Sequence, residues 1–255
     1  MRGLIKTPLA ILLLLLLISP AISQRLISRL SEQEISINST FVGGSMTLFG
    51  NVEPDIGSTE YAKGPFDIIV MIQGGATNKV VREKTRQLGV WLNSAEVKYF
   101  GAPSFFFLLG TRPPLDIISE EKMAELGIGF EDQIQIISGE EKISHADFTQ
   151  ELIRLMQKSD TYGIEGRAVS FHSRTFYSAQ IELPSNVPNG TYLATTFLFE
   201  DGELIDRMAQ RFFVRTVGVE KLISNTARDF PLIYGLASVL LALFTGWLGG
   251  VAFRR

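Results

Sequence analysis

The chain has 255 residues and no cysteine, and its 24 basic and 27 acidic residues give a formal net charge of −3. The lack of cysteine excludes disulfide bonds, thiolate nucleophiles and cysteine-bound metals within this sequence. The slightly acidic balance gives no case for a nucleic-acid partner. A chain of this length can bury the core of one large domain or two small ones.

The N-terminal segment has the pattern of a secretory signal peptide. Arg2 and Lys6 come before a leucine-rich apolar run over residues 9–18, and residues 21–23 form a small-x-small cleavage site. We therefore predict a signal peptide over residues 1–23 and an exported domain over residues 24–228. The alternative is an uncleaved anchor, but the apolar run has roughly half the usual spanning length.

Short strands are predicted on both sides of the middle of the chain. Runs of alternating or continuous apolar residues occur near residues 35–37, 46–50, 66–72, 105–109, 176–183, 192–199 and 204–216. Asp201 and Gly202 lie between the last two runs and are typical of a two-residue hairpin turn. The number and spacing of these strands predict a mainly β fold, an immunoglobulin-like β-sandwich.

A helical insertion is predicted over about residues 114–160, where the composition changes. Residues 116–165 hold 12 acidic and 4 basic residues, whereas residues 24–115 hold 8 acidic and 9 basic ones. Ser119 is a helix N-cap candidate, with the helix ending at Leu126 before Gly127. Ser144 and Asp147 resemble a capping box, and a second amphipathic helix is expected to run from there to about residue 158.

A transmembrane helix is predicted over residues 231–253. Residues 232–253 carry no charge, and a helix rising about 1.5 Å per residue crosses the bilayer core with this length. Residues 254–255, both arginine, are predicted to be a cytoplasmic tail, because basic residues next to a span are retained on that side. Small residues recur every four positions, which favours close helix packing but is also common composition in membrane helices: Ser238, Ala242, Gly246 and Gly250.

Several segments together resemble a known family. They are residues 39–43 with 48–50, 67–70, 89–93, 103–105 with 111–113, and the C-terminal residues 234–255. They are similar to the putative transmembrane protein family known chiefly from alphaproteobacteria, whose members have no established function. Genes of that family often lie beside those of sulfite-exporter-type permeases, so the resemblance implies a membrane-transport neighbourhood.

No residue pattern indicates an enzyme, a metal site or a cofactor. The two histidines, His145 and His172, do not stand in a metal-ligand spacing, and we expect both to be solvated. A Gly-x-Ser-x-Gly nucleophile motif is absent from the sequence. We therefore predict a non-enzymatic protein with neither catalytic residues nor a cofactor, although an enzyme built from unrecognised residues remains a third alternative.

Two rows of basic residues are the candidate anion site. Arg82, Lys84 and Arg86 alternate along one predicted strand, and a second trio shares parity along another: Arg207, Arg211 and Arg215. If the two rows converge, their side chains could bind sulfite, sulfate or a carboxylate. The alternative is that both rows are solvated faces of the sandwich. Trp91, between Val90 and Leu92, is predicted to be a core residue.

These features predict a single-span protein of the bacterial inner membrane, with its N-terminal domain in the periplasm and its C-terminus in the cytoplasm. We expect an accessory or interaction subunit of a membrane transporter, with export of sulfur oxyanions as the activity it serves. The partner would be a sulfite-exporter-type permease or a second copy of the chain, bound through the membrane helix. The alternative is a membrane-anchored module that binds an anion or another solute itself.

Overall fold

The computed structural model describes residues 25–38, 40–54, 62, 64–138 and 144–252. The predicted signal peptide over residues 1–23 and the predicted cytoplasmic tail, Arg254 and Arg255, lie outside these described residues. Strands make up 49% of the structure and helices 27%, which confirms the mainly β class.

Thirteen strands are present in the described part of the chain. In order they are β1 (Arg25–Leu30), β2 (Glu34–Ile37), β3 (Gly44–Glu53), β4 (Phe66–Gln73), β5 (Ala76–Gln87), β6 (Val90–Pro103), β7 (Phe106–Gly110), β8 (Gln135–Ser138), β9 (Tyr162–Glu165), β10 (Val169–Phe171), β11 (Phe176–Leu183), β12 (Gly190–Glu200) and β13 (Glu203–Thr216). The helices are α1 (Pro114–Ile117), α2 (Glu120–Leu126), a 3-10 turn (Glu131–Gln133), α3 (His145–Lys158), α4 (Val219–Asp229) and α5 (Pro231–Ala252).

Two sheets pack face to face and form the predicted sandwich. One has the strand order β1-β3-β11-β10 and the other the order β2-β13-β12-β4-β7-β9. These are the A-B-E-D and A′-G-F-C-C′ arrangements of an immunoglobulin-like domain, with β2 running parallel to β13 and β9 added as a sixth strand beside β7. A single apolar core contains residues of both sheets, among them Leu48 and Ile181 from the first and Val70 and Phe212 from the second.

Tyr192 forms a tyrosine corner at the start of β12. Its side chain is fully buried, and its Oη donates a hydrogen bond to the carbonyl of Pro188, four residues earlier, at 2.6 Å. The same device ties the corresponding strand in many immunoglobulin-like domains. It supports the topology independently of the strand order.

The helical segment between β7 and β10 covers the outer face of the larger sheet. Ile117 and Ile128 pack there against Ile69, Phe106 and Phe197, which form a second apolar cluster. Strands β4 and β7 are therefore buried on both faces, and for β7 this is what the continuous apolar run over residues 105–109 predicts. The predicted N-termini of two helices are also confirmed, since the side chains of Ser119 and Ser144 accept hydrogen bonds from backbone N–H groups of α2 and α3.

Strands β5 and β6 form a long antiparallel ribbon that continues out of the sandwich. The ladder of β4 and β7 passes into it through hydrogen bonds from Gly74 N to Phe105 O, 2.8 Å, and from Ser104 N to Gly75 O, 2.9 Å. Strand β8 pairs with β6 near the base. Helix α3 lies against the same part of the ribbon, where Leu152 packs on Val81 and Val97.

The C-terminal part consists of two consecutive helices. Strand β13 leads into α4, and α4 leads into α5, which has 22 residues and a mean hydropathy of 1.8 in its most apolar window. None of that window is buried against the rest of the chain. Helix α5 therefore has the length and composition of the predicted membrane span.

Candidate functional site

The first basic trio lies on one face of β5. Arg82, Lys84 and Arg86 alternate with Val81, Glu83 and Thr85, so their shared orientation follows from the strand period. Arg82 pairs with Glu96 on β6, with 3.0 Å between Nε and Oε2. Hydrogen bonds from Lys98 and Arg82 hold the pKa of Glu96 below its usual value. Arg82 therefore has a counterion, whereas Lys84 and Arg86 form no ion pair with any described residue.

The second trio lies on the outer face of β13. Arg207, Arg211 and Arg215 are all exposed, and the residues between them, such as Phe212 and Val214, point into the sandwich core. The shared face that the sequence parity predicts is thus present. The Arg215 guanidinium lies 4.7 Å from the centre of the Phe213 ring and 3.4 Å from a carboxylate oxygen of Glu34.

The two trios belong to different sheets and border different cavities. Arg82 and Lys84 line a shallow depression of about 360 Å³, together with Asp147 and Glu151 of α3. Arg215 lines another open cavity, of about 470 Å³, which it shares with Arg228 and Asn225 of α4. These two cavities have no lining residue in common. The carboxylates at the first weaken its attraction for an anion, whereas the second is lined by two arginines.

Arg228 is a basic residue of this second cavity that the sequence did not single out. It lies in the last turn of α4, and the cavity is completed by the start of β12 and the end of β13. The polar lining includes Asn189, Thr191 and Thr216. In the sequence, Arg228 is only a basic residue next to a membrane span, and such residues are common in membrane proteins.

The prediction that Trp91 is a core residue is wrong. Leu88 and Gly89 form the turn between β5 and β6 with φ of 51° and 83°, both in the left-handed region that a type I′ turn requires. The large apolar side chains around this turn are exposed, Trp91 by 64% and Leu88 completely. We call Leu88, Val90, Trp91 and Leu92 the hairpin tip. The ribbon carries them beyond α3, so nothing described in the chain covers them.

The four small residues of the membrane helix lie on an uncovered surface of α5. A side chain added at Gly246 or Gly250 would meet no atom of the described chain within 4 Å. Ser238 donates its hydroxyl to the Tyr234 carbonyl one turn earlier, at 2.8 Å. Its polar group is thus satisfied inside the helix. The stripe of Ser238, Ala242, Gly246 and Gly250 is open to lipid or to another helix.

The histidines lie apart in the structure. His172 follows β10, and its Nε2 is 2.7 Å from the Ser178 hydroxyl. His145 opens α3 and is partly buried rather than solvated as expected; its Nε2 has no hydrogen-bond partner among the described residues. Within that part of the chain, no three His, Asp or Glu side chains are placed to hold a metal ion.

An ion pair at the opposite end of the sheet has a structural role. Arg112 Nε donates to Asp67 Oδ1 at 3.0 Å, and the Thr111 hydroxyl donates to the same oxygen at 2.8 Å. Burial alone would raise the pKa of Asp67, but these hydrogen bonds outweigh it and hold the pKa below its usual value. The cluster ties the end of β7 to the start of β4.

Comparison with known proteins identifies a family. Residues 25–255 match the model of a family described as Putative transmembrane protein (Alph_Pro_TM). None of the curated proteins matches the chain.

Proposed function

Because the chain belongs to this putative transmembrane protein family, we propose that it is a non-enzymatic accessory subunit that holds a partner protein in the membrane. The immunoglobulin-like domain would lie in the periplasm and the C-terminus in the cytoplasm, with α5 crossing the bacterial inner membrane once. The partner would be a transporter, with a sulfite-exporter-type permease as the first candidate from the resemblance. A second copy of the chain is the other candidate.

The observation that carries this proposal is the bare surface of α5. Lipid tails are as apolar as leucine, so hydrophobic burial does not drive helices together inside a bilayer. Close packing over small residues does so instead, because the two backbones can then approach. The stripe through Gly246 gives α5 such a surface, and none of the most apolar window of α5 is buried by the chain's own domain.

Enlarging Gly246 tests the proposal. We expect Gly246→Leu to hold the helices apart and to reduce recovery of the co-purified permease, or energy transfer between two labelled copies, by tenfold or more. Ala237→Leu is the matched control, because Ala237 lies about two and a half turns away, on the opposite side of the helix. Both variants stay apolar, so both should still insert. Equal loss, or no loss, in the two variants would mean that the stripe does not bind a partner.

The orientation has a separate test. The chain contains no cysteine, so single cysteines can be introduced without background. A cysteine at Ser31 or Ser185, both exposed, should react with a membrane-impermeant thiol reagent from the periplasmic side, whereas one placed after Arg255 should not. Labelling of the C-terminal cysteine in intact cells would contradict the proposed topology.

The second candidate function is binding of an oxyanion by the domain itself. The observation that favours it is the cavity that Arg215 shares with Arg228. Guanidinium groups bind planar oxyanions in a bidentate manner, and sulfite, sulfate and carboxylates have the required geometry. Glu34 is the counterion of Arg215 in the structure and would compete with such a ligand.

A thermal shift experiment separates the possible anion sites. If the cavity binds sulfate or sulfite, millimolar ligand should raise the melting temperature of the full chain in mild detergent, by mass action on the folded state. Arg228→Gln should remove the shift, and Arg211→Gln should retain it. Loss of the shift with Arg82→Gln and Arg211→Gln instead would indicate that the two basic rows act as one site. An unchanged melting temperature in the wild type would exclude both.

A further inference from the structure

We propose that the hairpin tip of the β5–β6 ribbon inserts into the surface of the bilayer that holds α5, with the basic residues behind it in contact with anionic lipid headgroups. Four large apolar side chains are exposed together at the end of a narrow ribbon, and Leu88 and Trp91 are the most prominent of them. Such a grouping is costly in water and is typical of an interaction surface.

The strand register places the ribbon at the membrane side of the sandwich. Gln73 at the end of β4 pairs in register with Leu193 near the start of β12. Gly190, which begins β12, pairs in register with Val214 near the end of β13. The chain leaves the domain from this end of β13 and continues into α4 and α5. Since β4 runs toward the same end and its ladder continues into β5, the ribbon projects from the end of the domain that is tethered to the bilayer.

The ribbon is long enough to reach the membrane surface. Its first strand has 12 residues and extends about 40 Å at the usual rise of a β-strand. The spacer between the domain and the span, α4, has 11 residues and covers about 16 Å at most. The ribbon base is also held by α3 through Val97 and Leu152, so the ribbon is supported on one side rather than free to fold back.

The chemistry of the tip matches a membrane interface. Trp91 is directly opposite Arg86 in the ladder, so an aromatic ring and a guanidinium project from the same face. Tryptophan prefers the headgroup level of a bilayer, and basic residues are attracted to anionic lipids there. Residues 76–103 contain five basic and two acidic residues, whereas the exported domain as a whole carries more acid than base. The ribbon is thus a basic arm on an acidic domain.

Trp91 itself is the probe for the test. The chain has two tryptophans, Trp91 and Trp247, so Trp247→Phe leaves Trp91 as the only tryptophan emitter. The full chain carrying this change is reconstituted into vesicles of phosphatidylcholine with phosphatidylglycerol, and separately into vesicles of phosphatidylcholine alone. We expect Trp91 emission to be blue-shifted, at least halved by lipids brominated near the headgroup, and protected several-fold from acrylamide. Protection should be weaker without phosphatidylglycerol.

Two further variants identify the residues responsible. Leu88→Asn keeps a residue that tolerates the left-handed turn, and it should reduce the quenching by brominated lipid because the tip loses its leading apolar side chain. Ile164→Ser changes another exposed apolar residue, on β9 and away from the ribbon, and should leave the quenching unchanged. Full acrylamide accessibility of Trp91 without quenching by brominated lipid would overturn the proposal and assign the tip to a protein partner instead. Because these vesicles contain no other protein, this outcome is independent of a permease bound to α5.

Discussion

Replacing Tyr192 with phenylalanine tests the immunoglobulin-like topology at its most specific contact. The change removes only the Oη atom, which donates to the partly buried carbonyl of Pro188 at 2.6 Å. The ring stays in place between Phe212, with ring centres 5.1 Å apart, and Phe105, at 5.7 Å. The expected loss is therefore one hydrogen bond and the partner of one carbonyl, about 1–3 kcal/mol in the free energy of unfolding.

The assay is urea and thermal unfolding of the full chain in mild detergent, each monitored by circular dichroism. For a domain of this size, each kcal/mol lowers the melting temperature by about 2–4 °C, so the expected decrease is about 2–12 °C. Tyr99→Phe is the matched control. The Tyr99 hydroxyl is hydrogen-bonded to the Thr149 hydroxyl, which also donates to the His145 carbonyl. Thr149 therefore keeps a partner when the Tyr99 hydroxyl is removed, and we expect the free energy of unfolding to fall by about 1 kcal/mol or less. A Tyr192 effect no larger than the Tyr99 effect would refute the role of the corner.

Three other substitutions should act on stability. Gly202→Val should destabilise the β12–β13 hairpin by about 2 kcal/mol, because Gly202 has a φ of 80° that a β-branched residue resists, and urea unfolding measures the loss. Asp67→Asn should lower the free energy of unfolding by about 1–2 kcal/mol at pH 7. Because the pKa of Asp67 is lowered in the folded state, the difference from the wild type should disappear as the pH falls through that folded-state pKa. A series of unfolding curves at decreasing pH measures this. Leu152→Ala should cost about 2–4 kcal/mol by emptying the contact between α3 and the ribbon, whereas Leu155→Ala, on the exposed face of the same helix, should cost under about 1 kcal/mol.

The elements that the sequence predicts correctly are those that local patterns determine. The two-residue period of residues 176–183 and the Asp201–Gly202 turn depend on near neighbours, and the structure confirms both. The cap residues Ser119 and Ser144 act within one turn of their helices and are equally readable. Leu155 is the exception, since it shares the apolar pattern of α3 but is 43% exposed.

The features that the sequence does not predict depend on contacts between distant segments. Trp91 has apolar neighbours on both sides, and only the length of the ribbon relative to α3 shows that none of them is covered. The faces of the two basic trios follow from parity, but whether β5 and β13 lie near each other depends on the strand order of the sandwich. The cavity that Arg215 and Arg228 both line depends in turn on how α4 lies against the end of β13.

The position of β13 within its sheet has a mechanical consequence. The strand that leads to the membrane is not at an edge, since β2 pairs with it on one side and β12 on the other. A force from the bilayer acts along the axis of β13, whereas the hydrogen bonds to the neighbouring strands run across that axis. Many of these hydrogen bonds therefore bear the force together rather than breaking one after another. The parallel pairing with β2 adds a second row loaded in the same way. A domain attached to a membrane helix through this strand should resist extraction by force more strongly than one attached through an edge strand.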